Sequence, residues 1–184
     1  METSHYRLVP SPVGDVGVVW HMGGEVPSIV HILLPSPDRS TAERIRAYHP
    51  AAVEEPDKDP GKLCEGIETT LAGNRIDFSL SNVSLDRCRE FQQRVLRETM
   101  RIPRGRVTSY GELARAISAP GAARAVGTAL ARNPFPLVIP CHRVVRADGS
   151  IGRFGGGREM KKTLLRLEGV IVEDGGKIPP AFFR

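Results

Sequence analysis

The residues best suited to chemistry in this 184-residue chain stand side by side: Cys141 and His142, inside "NPFPLVIPCHRVV", Asn133 to Val145. A cysteine is nucleophilic as its thiolate, and a nearby imidazole can take its proton while an acid holds the imidazole. Glu168, near the end of the last helical pattern, is a candidate for that acid, although spacing alone does not place it. In a strand, neighbouring side chains point to opposite faces. Contact between Cys141 and His142 therefore requires a turn or a bridging water. A glycine-rich stretch, "GRFGGG" from Gly152 to Gly157, follows.

The elements that must position this pair can be read around it. Prolines 134, 136 and 140 exclude a helix from "NPFPLVIP", and the short apolar "LVI" is expected to carry Cys141 out of the core. "HRVVRADGS" reads as a strand and a turn. "GREMKKTLLRLEGV" predicts a final helix with Met160, Leu164, Leu165 and Leu167 apolar and Gly169 as its stop. Upstream, "SLDRCREFQQRVLRETM" predicts a helix with Leu85, Cys88, Phe91 or Gln92, Val95 and Thr99 on one face. In "SYGELARAIS", Ser109 and Glu112 have the spacing of a capping box, which puts Tyr110 in the first turn of a helix of about ten residues. "APG" then makes a three-residue break, and "AARAVGTALAR" starts another helix. The outline is that of a helix-turn-helix, shared with helical hairpins that never meet DNA. The second helix is poor in bulk (Ala122, Ala123, Ala125, Gly127, Thr128, Ala129), and Arg124 projects from its first turn. Such a face suits close approach to DNA, with tight packing inside the protein as the alternative.

The first 80 residues read as a small mixed domain. "GDVGVVWHM", "SIVHILL" and "RIDFSL" are expected strands, "AERIRAYHP" a short helix stopped by Pro50, and "AAVEEPDKDPG" a surface loop. "GKLCEGIETTLAG" repeats Leu63, Ile67 and Leu71 at helical spacing, with Gly73 as its stop and Cys64 as an inert core thiol.

Composition narrows the class. Hydrophobic residues make up 40% of the chain, and no apolar run approaches the roughly 20 residues of a membrane-spanning helix. The opening residues lack the pattern of a secretory signal, so a soluble protein of the cytoplasm, or of a eukaryotic nucleus, is expected. Three cysteines (64, 88, 141) without a CxxC pair argue for free thiols. Five scattered histidines give no zinc-ligand spacing, so a metal is not expected, with a meeting in space of the four in the first third (His5, His21, His31, His49) as the alternative; no other cofactor is expected. Residues 1–82 hold 7 basic and 12 acidic side chains, whereas residues 83–184 hold 19 and 9. A basic second half points to a polyanionic partner. Arginine outnumbers lysine 21 to 5, which favours planar contacts with phosphate or bases.

Taken together, "PCHRVV", "SYGELA", "AARAVGTAL", "NPFPLVIP" and "GRFGGG" closely resemble the O6-alkylguanine-DNA alkyltransferases, the methylated-DNA–protein-cysteine methyltransferases. The resemblance runs in register from about Arg104 to Gly169 and weakens over the first 80 residues. It implies an α+β protein: a small N-terminal α/β domain, ribonuclease-H-like, over residues 1–82, then a mostly helical domain with a helix-turn-helix over residues 83–184. It implies a monomeric repair protein acting on double-stranded DNA that contains O6-alkylguanine, and on O4-alkylthymine as well. The damaged nucleotide is flipped out of the duplex and its alkyl group passes once, irreversibly, to Cys141. His142 matches the residue that activates the thiol through a water, and Glu168 the acid that orients it. Tyr110 matches the phenol that protonates the leaving guanine. Arg124 matches the arginine that replaces the extruded nucleotide, with Ala123 and Thr128 beside it against DNA, and Asn133 the residue that holds the turn before the active-site segment. Pro140, Val144, Phe154, Gly155 and Gly156 line the implied substrate pocket, and Arg146 and Arg153 flank it within reach of phosphates.

The loop departs from the family pattern at Phe154 and Gly155, where an aromatic hydroxyl and a small polar residue are usual. Backbone amides of Gly155 and Gly156 then become the donors, and a pocket more open to alkyl groups larger than methyl is expected. Competing readings explain less. A lesion-binding relative without transfer would have no use for Cys141. A transcription regulator leaves the Cys-His pair and glycine loop unexplained. A thiol hydrolase leaves the basic half and the Arg124 helix unexplained.

Overall fold

A computed structural model describes residues 3–22 and 26–184. It has the expected mixed α+β architecture. The chain forms two compact units, Met1–Leu85 with Pro134–Val138, and Asp86–Asn133 with Ile139–Arg184.

In the first unit β1 (Ser4–Val9), β2 (Val16–Met22), β3 (Pro27–Leu33) and β4 (Val53–Glu54) form one sheet in the order β3-β2-β1-β4, antiparallel except for the β1–β4 pair. Val16 to Trp20 are all buried, so β2 is covered on both faces, which suits its run of β-branched residues. Helix α1 (Thr41–Tyr48), opened by a capping box between Ser40 and Glu43, lies directly on it. A Cβ on Gly17 would stand 2.7 Å from Ile45 Cδ1, so glycine is what lets helix and sheet meet there. Tyr6, Val19, Val30, Leu33 and Ile45 form the core. Helix α2 (Leu63–Leu71) buries Leu63, Cys64, Ile67 and Leu71 as its spacing predicts.

Three readings of this unit need correction. β1 was not anticipated, because "SHYRLV" carries little apolar alternation and owes its extension to hairpin pairing with β2. The loop at 51–61 contains β4, two residues held beside β1. "RIDFSL" is not a strand: its Ile76 and Phe78 instead pack on Gly66 of α2, where an added Cβ would meet them at 3.2 and 2.8 Å. The alternation was real, but it serves a helix face rather than a ladder. Pro134–Val138 completes the unit, with Ile32 N–H donating to the Pro134 carbonyl at 2.7 Å and Phe135, Leu137 and Val138 buried. Leu137 sits at φ 73°, a costly conformation for a branched residue.

The second unit holds α3 (Glu90–Met100), α4 (Tyr110–Ala116), α5 (Ala123–Ala131) and α6 (Gly157–Leu167), with a two-stranded parallel ladder of β5 (Thr108–Ser109) and β6 (Val144–Val145). α3 starts later than expected. Leu85–Arg87 is a separate short turn, and Cys88 lies half-buried ahead of the helix rather than on its buried face. α4 is seven residues long, and residues 117–122 link it to α5 with positive φ at Ser118 and Gly121, so the break is longer than "APG". Only half of the capping box forms. Ser109 Oγ accepts from Glu112 N at 3.1 Å, while the Glu112 carboxylate pairs with Arg115.

Val107, Val145, Ile151, Leu165, Val170, Val172 and Ile178 make the core of this unit around β5 and β6. Residues 176–184 run back along the same strands and their loop. Ile151 N–H donates to Gly176, Ile178 N–H to Gly149, Val107 N–H to Phe182, and Arg184 N–H to Val107, all at 2.9 to 3.1 Å. Among the described residues no helix is long and apolar enough to cross a membrane.

Candidate active site

Cys141 opens a single turn of 3-10 helix, Cys141–Arg143, entered from Pro140. This is the turn that contact between adjacent residues requires. It does not carry the thiol out of the core as expected: Cys141 is buried, as are Pro140 and His142. Burial pushes the Cys141 thiol up, against four groups that pull it back: Asn133, Lys161 and the backbone N–H groups of Cys141 and His142. Asn133 also ties its own loop, its amide donating to the Ile139 carbonyl at 3.1 Å.

His142 Nε2 lies 2.9 Å from Glu168 Oε1. Burial lowers the His142 pKa, and the hydrogen bond to Glu168 only partly restores it. The ring is therefore neutral near pH 7. A carboxylate only accepts, so Nε2 carries the hydrogen and Nδ1 is the basic nitrogen. Nδ1 is buried without a hydrogen-bond partner among the described protein groups. Glu168 lies just past α6, where the helix stops before Gly169 at φ 83°. Burial alone would raise its carboxyl, but the hydrogen bonds from His142 and Arg143 bring it down to about 2. Arg143 Nε and Nη2 both donate to Glu168, and Nη1 donates to the Ile102 carbonyl at 2.6 Å.

Tyr110 begins α4, its ring against α5, where a Cβ on Gly127 would touch it at 3.8 Å. Its hydroxyl reaches Gly152, 3.4 Å from where a Cβ would stand. Burial first, and Cys141 second, raise its pKa, while Arg146 lowers it. The phenol is therefore protonated and close enough to feel the thiol's charge. On α5, Arg124 and Thr128 are exposed and Ala123 is half-buried.

A cavity of about 330 Å³ is lined by Arg146, Ser150, Gly152, Arg153, Phe154 and Arg158. The Phe154 ring meets His142 edge-on with centroids 6.4 Å apart. Of the other expected pocket residues, Gly155 is exposed, Gly156 caps α6, and neither lines this cavity. Val144 does not line it either, being wholly buried in β6.

Two participants were missed. Arg143 stood within the quoted signature, but nothing in its spacing pointed to Glu168. Lys161 is 1% exposed, and its ammonium donates to the Val144 carbonyl at 2.7 Å. Burial lowers it to about 8, with the Cys141 charge opposing. A signal for it exists: Leu164 and Leu165 follow at i+3 and i+4, which places Lys161 on the buried stripe of α6. Cys64, pushed up to about 12 by burial first and Asp59 second, is inert as expected. Among the described residues no three potential ligands gather to hold a metal.

A buried cysteine ringed by donors, beside a neutral imidazole held by a carboxylate, defines a protein built around one nucleophilic thiol. Comparison with known proteins says which. The family described as 6-O-methylguanine DNA methyltransferase, DNA binding domain, matches residues 90–170. A methylated-DNA–protein-cysteine methyltransferase of Methanothermobacter thermautotrophicus is 41% identical over 167 residues, 88% of this chain and 84% of that protein. The crystal structure of OGT from Mycobacterium tuberculosis in complex with DNA is 33% identical, with a TM-score of 0.71 over 89% of this chain and 92% of that one. The O6-methylguanine-DNA methyltransferase of Pyrococcus kodakaraensis is 30% identical, with a TM-score of 0.67 over 91% and 100%. The chain belongs to the methylated-DNA–protein-cysteine methyltransferase family.

Proposed function

We propose that this protein repairs double-stranded DNA by taking the alkyl group from guanine O6, and from thymine O4, onto Cys141. The observation that carries the reading is the buried thiol beside an imidazole whose Nδ1 is basic and whose Nε2 is committed to Glu168. The Cys141 proton passes through one water to His142 Nδ1. The thiolate then attacks the alkyl carbon, the new S–C bond forms as the C–O6 bond breaks, and the electron pair leaves on the purine. Tyr110 gives its proton to a ring nitrogen of the departing guanine, and the imidazolium returns a proton to the phenolate. Hydrogen bonds from Asn133 and two backbone amides, together with the Lys161 charge, stabilise the thiolate before attack. A thioether is not reversed by any group in this site, so each molecule reacts once.

An O6-alkyl group inside a duplex is out of reach of a buried thiol, so the nucleotide is flipped at a cost of a few kcal/mol. In this reading α4 and α5 act as a helix-turn-helix. Exposed Arg124 enters the stack in place of the extruded nucleotide, Ala123 and Thr128 lie along the minor groove, and Arg146 and Arg153 meet phosphates. Phe154 lines the pocket, Pro140 leads into the turn that carries the thiol, and Val144 acts from behind through the backbone carbonyl that holds Lys161. The first unit, ribonuclease-H-like, is structural. The protein works as a monomer without a cofactor, in the cytoplasm or, in a eukaryote, the nucleus.

Intact-protein mass after mixing with a duplex containing one O6-methylguanine tests the proposal. One added methyl, mapped to Cys141 and absent in Cys141→Ser, is expected. No gain with lesion binding retained would leave a recognition protein, and no gain without lesion preference would remove the assignment.

A further inference from the structure

The last turn of α5 is completed by a side chain from another helix. Gln92, in the first turn of α3, turns its amide to that end: Nε2 donates to the Ala129 carbonyl at 3.1 Å and to the Arg132 carbonyl at 2.8 Å. Both hydrogens of the amide are thereby used. Carbonyls at a helix end lack partners within the helix. Ala129 needs one from outside because the Asn133 N–H goes to the Leu130 carbonyl instead, at 3.1 Å. The Arg132 carbonyl and the Asn133 N–H belong to one planar peptide unit. Gln92 holds that plane by its oxygen and Leu130 holds it by its N–H, so the backbone enters Asn133 in one fixed direction. The Asn133 amide then donates to the Ile139 carbonyl at 3.1 Å and also bonds the Cys141 sulfur, which favours the thiolate.

We propose that Gln92 is a positioning residue for alkyl transfer: it fixes the peptide plane that aims the Asn133 amide at Cys141. The inference rests on the transfer reading above and extends the site outward, from the thiol through Asn133 to α3. The other charged and titratable groups about the thiol are Lys161 on α6, Glu168 just past it, His142 and Arg143 in the turn, and Tyr110 at the start of α4. The Gln92 side chain is hydrogen-bonded to none of them. Its influence on the thiol therefore runs through Asn133. Without Gln92 the plane is held from one side only, the Asn133 bond to sulfur weakens, and Cys141 ionises at higher pH.

The test is the acidity of Cys141 in Gln92→Met, which keeps the side chain's length and loses its donor, and in Gln92→Glu, which turns acceptors toward both carbonyls. Two rates are followed between about pH 6 and 10: alkylation of Cys141 by iodoacetamide, mapped by peptide mass, and benzyl transfer from the free base O6-benzylguanine. In Gln92→Met both should fall about three- to tenfold below the thiol's midpoint, as loss of one hydrogen bond allows. Both should rejoin the parent where the thiolate is fully formed. Gln92→Glu should lose at least as much. In an Asn133→Ala background, Gln92→Met should change neither profile further. Arg94→Met removes a different bond from α3, that to the Ile117 carbonyl at the end of α4; it should lower the melting temperature and leave both profiles in place. Parent-like profiles in both Gln92 variants overturn the proposal. So does an additive loss in the Asn133→Ala background, or an equal shift from Arg94→Met, which would reduce the effect to general loosening. The iodoacetamide profile needs no lesion, so failure of the parent to take methyl from an O6-methylguanine duplex would instead remove the transfer reading.

Discussion

One oxygen of Glu168 serves two partners: Oε1 lies 2.9 Å from His142 Nε2 and 2.8 Å from Arg143 Nη2. The same carboxylate thus fixes the tautomer of the imidazole and holds the cation that anchors the turn to Ile102.

Glu168→Gln should slow transfer by about 10- to 100-fold, the range for losing a group that orients a reacting histidine. It should also lower the melting temperature, because Arg143 loses its buried counter-charge. Stability should follow the carboxyl's titration. Its folded pKa, about 2, lies below the ordinary 4.5, so the contribution is full above pH 4.5 and is lost as pH falls toward 2. Acid unfolding of the parent and variant should converge over that window. Parallel curves would separate Glu168 from the acid transition.

Lys161→Met should trade reactivity for stability. With a pKa of about 8 against an ordinary 10.5, the buried ammonium costs stability at neutral pH, and the parent gains stability as pH rises from 8 to 10.5. The variant should melt no lower than the parent at pH 7, lose that gain, and transfer at least about tenfold more slowly because the thiolate loses a cation that favours it. A lower melting temperature with an unchanged rate would refute this.

Methylation of Cys141 should destabilise the protein. The thiol is buried among Asn133, Lys161 and backbone amides, and an added methyl both crowds the site and removes a charge acceptor. Overpacking of this kind costs about 1–3 kcal/mol. Scanning calorimetry of reacted against unreacted protein should show a drop of several degrees. An unchanged or higher value would contradict it.

Phe154→Tyr should narrow alkyl tolerance. Phe154 is half-buried against His142 and offers no hydroxyl. The ratio of benzyl to methyl transfer should be higher in the parent than in the variant, and equal ratios would remove the idea of a more open pocket.

Arg124→Ala should separate DNA handling from chemistry. Arg124 is exposed on α5 and no ion pair holds it among the described residues. If Arg124 fills the gap left by a flipped nucleotide, as proposed, transfer from an O6-methylguanine duplex should fall by at least about tenfold. Transfer from the free base O6-benzylguanine should hardly change. An equal loss on both would place Arg124 in the chemistry.

Much of the site was legible because its residues sit in short motifs whose local rules suffice. Pro140 and the turn after it, the Ser109 cap that sets Tyr110, and the spacing of Leu164 and Leu165 are all decided within four residues. What escaped depends on distant parts of the chain. Arg143 finds Glu168 across 25 residues. Lys161 reads as solvated until α6 is docked, although its place on the apolar stripe was visible. β1 and β4 exist through their partners rather than their composition. The alternation in "RIDFSL" is real but makes no strand, because Gly66 of α2 offers Ile76 and Phe78 a helix face instead.

Residues 176–184 reach Gly149 and Ile151 in the cavity's loop and Val107 beside Tyr110. Anyone adding a fluorophore, affinity handle or fusion partner to this protein inherits that arrangement. A graft that leaves residues 176–184 intact keeps the hydrogen bonds in place, but losing the segment past Ile178 would unfasten the loop carrying Arg146 to Arg153. A shortened reagent of that kind would still hold its thiol and histidine, yet would read alkyl groups poorly.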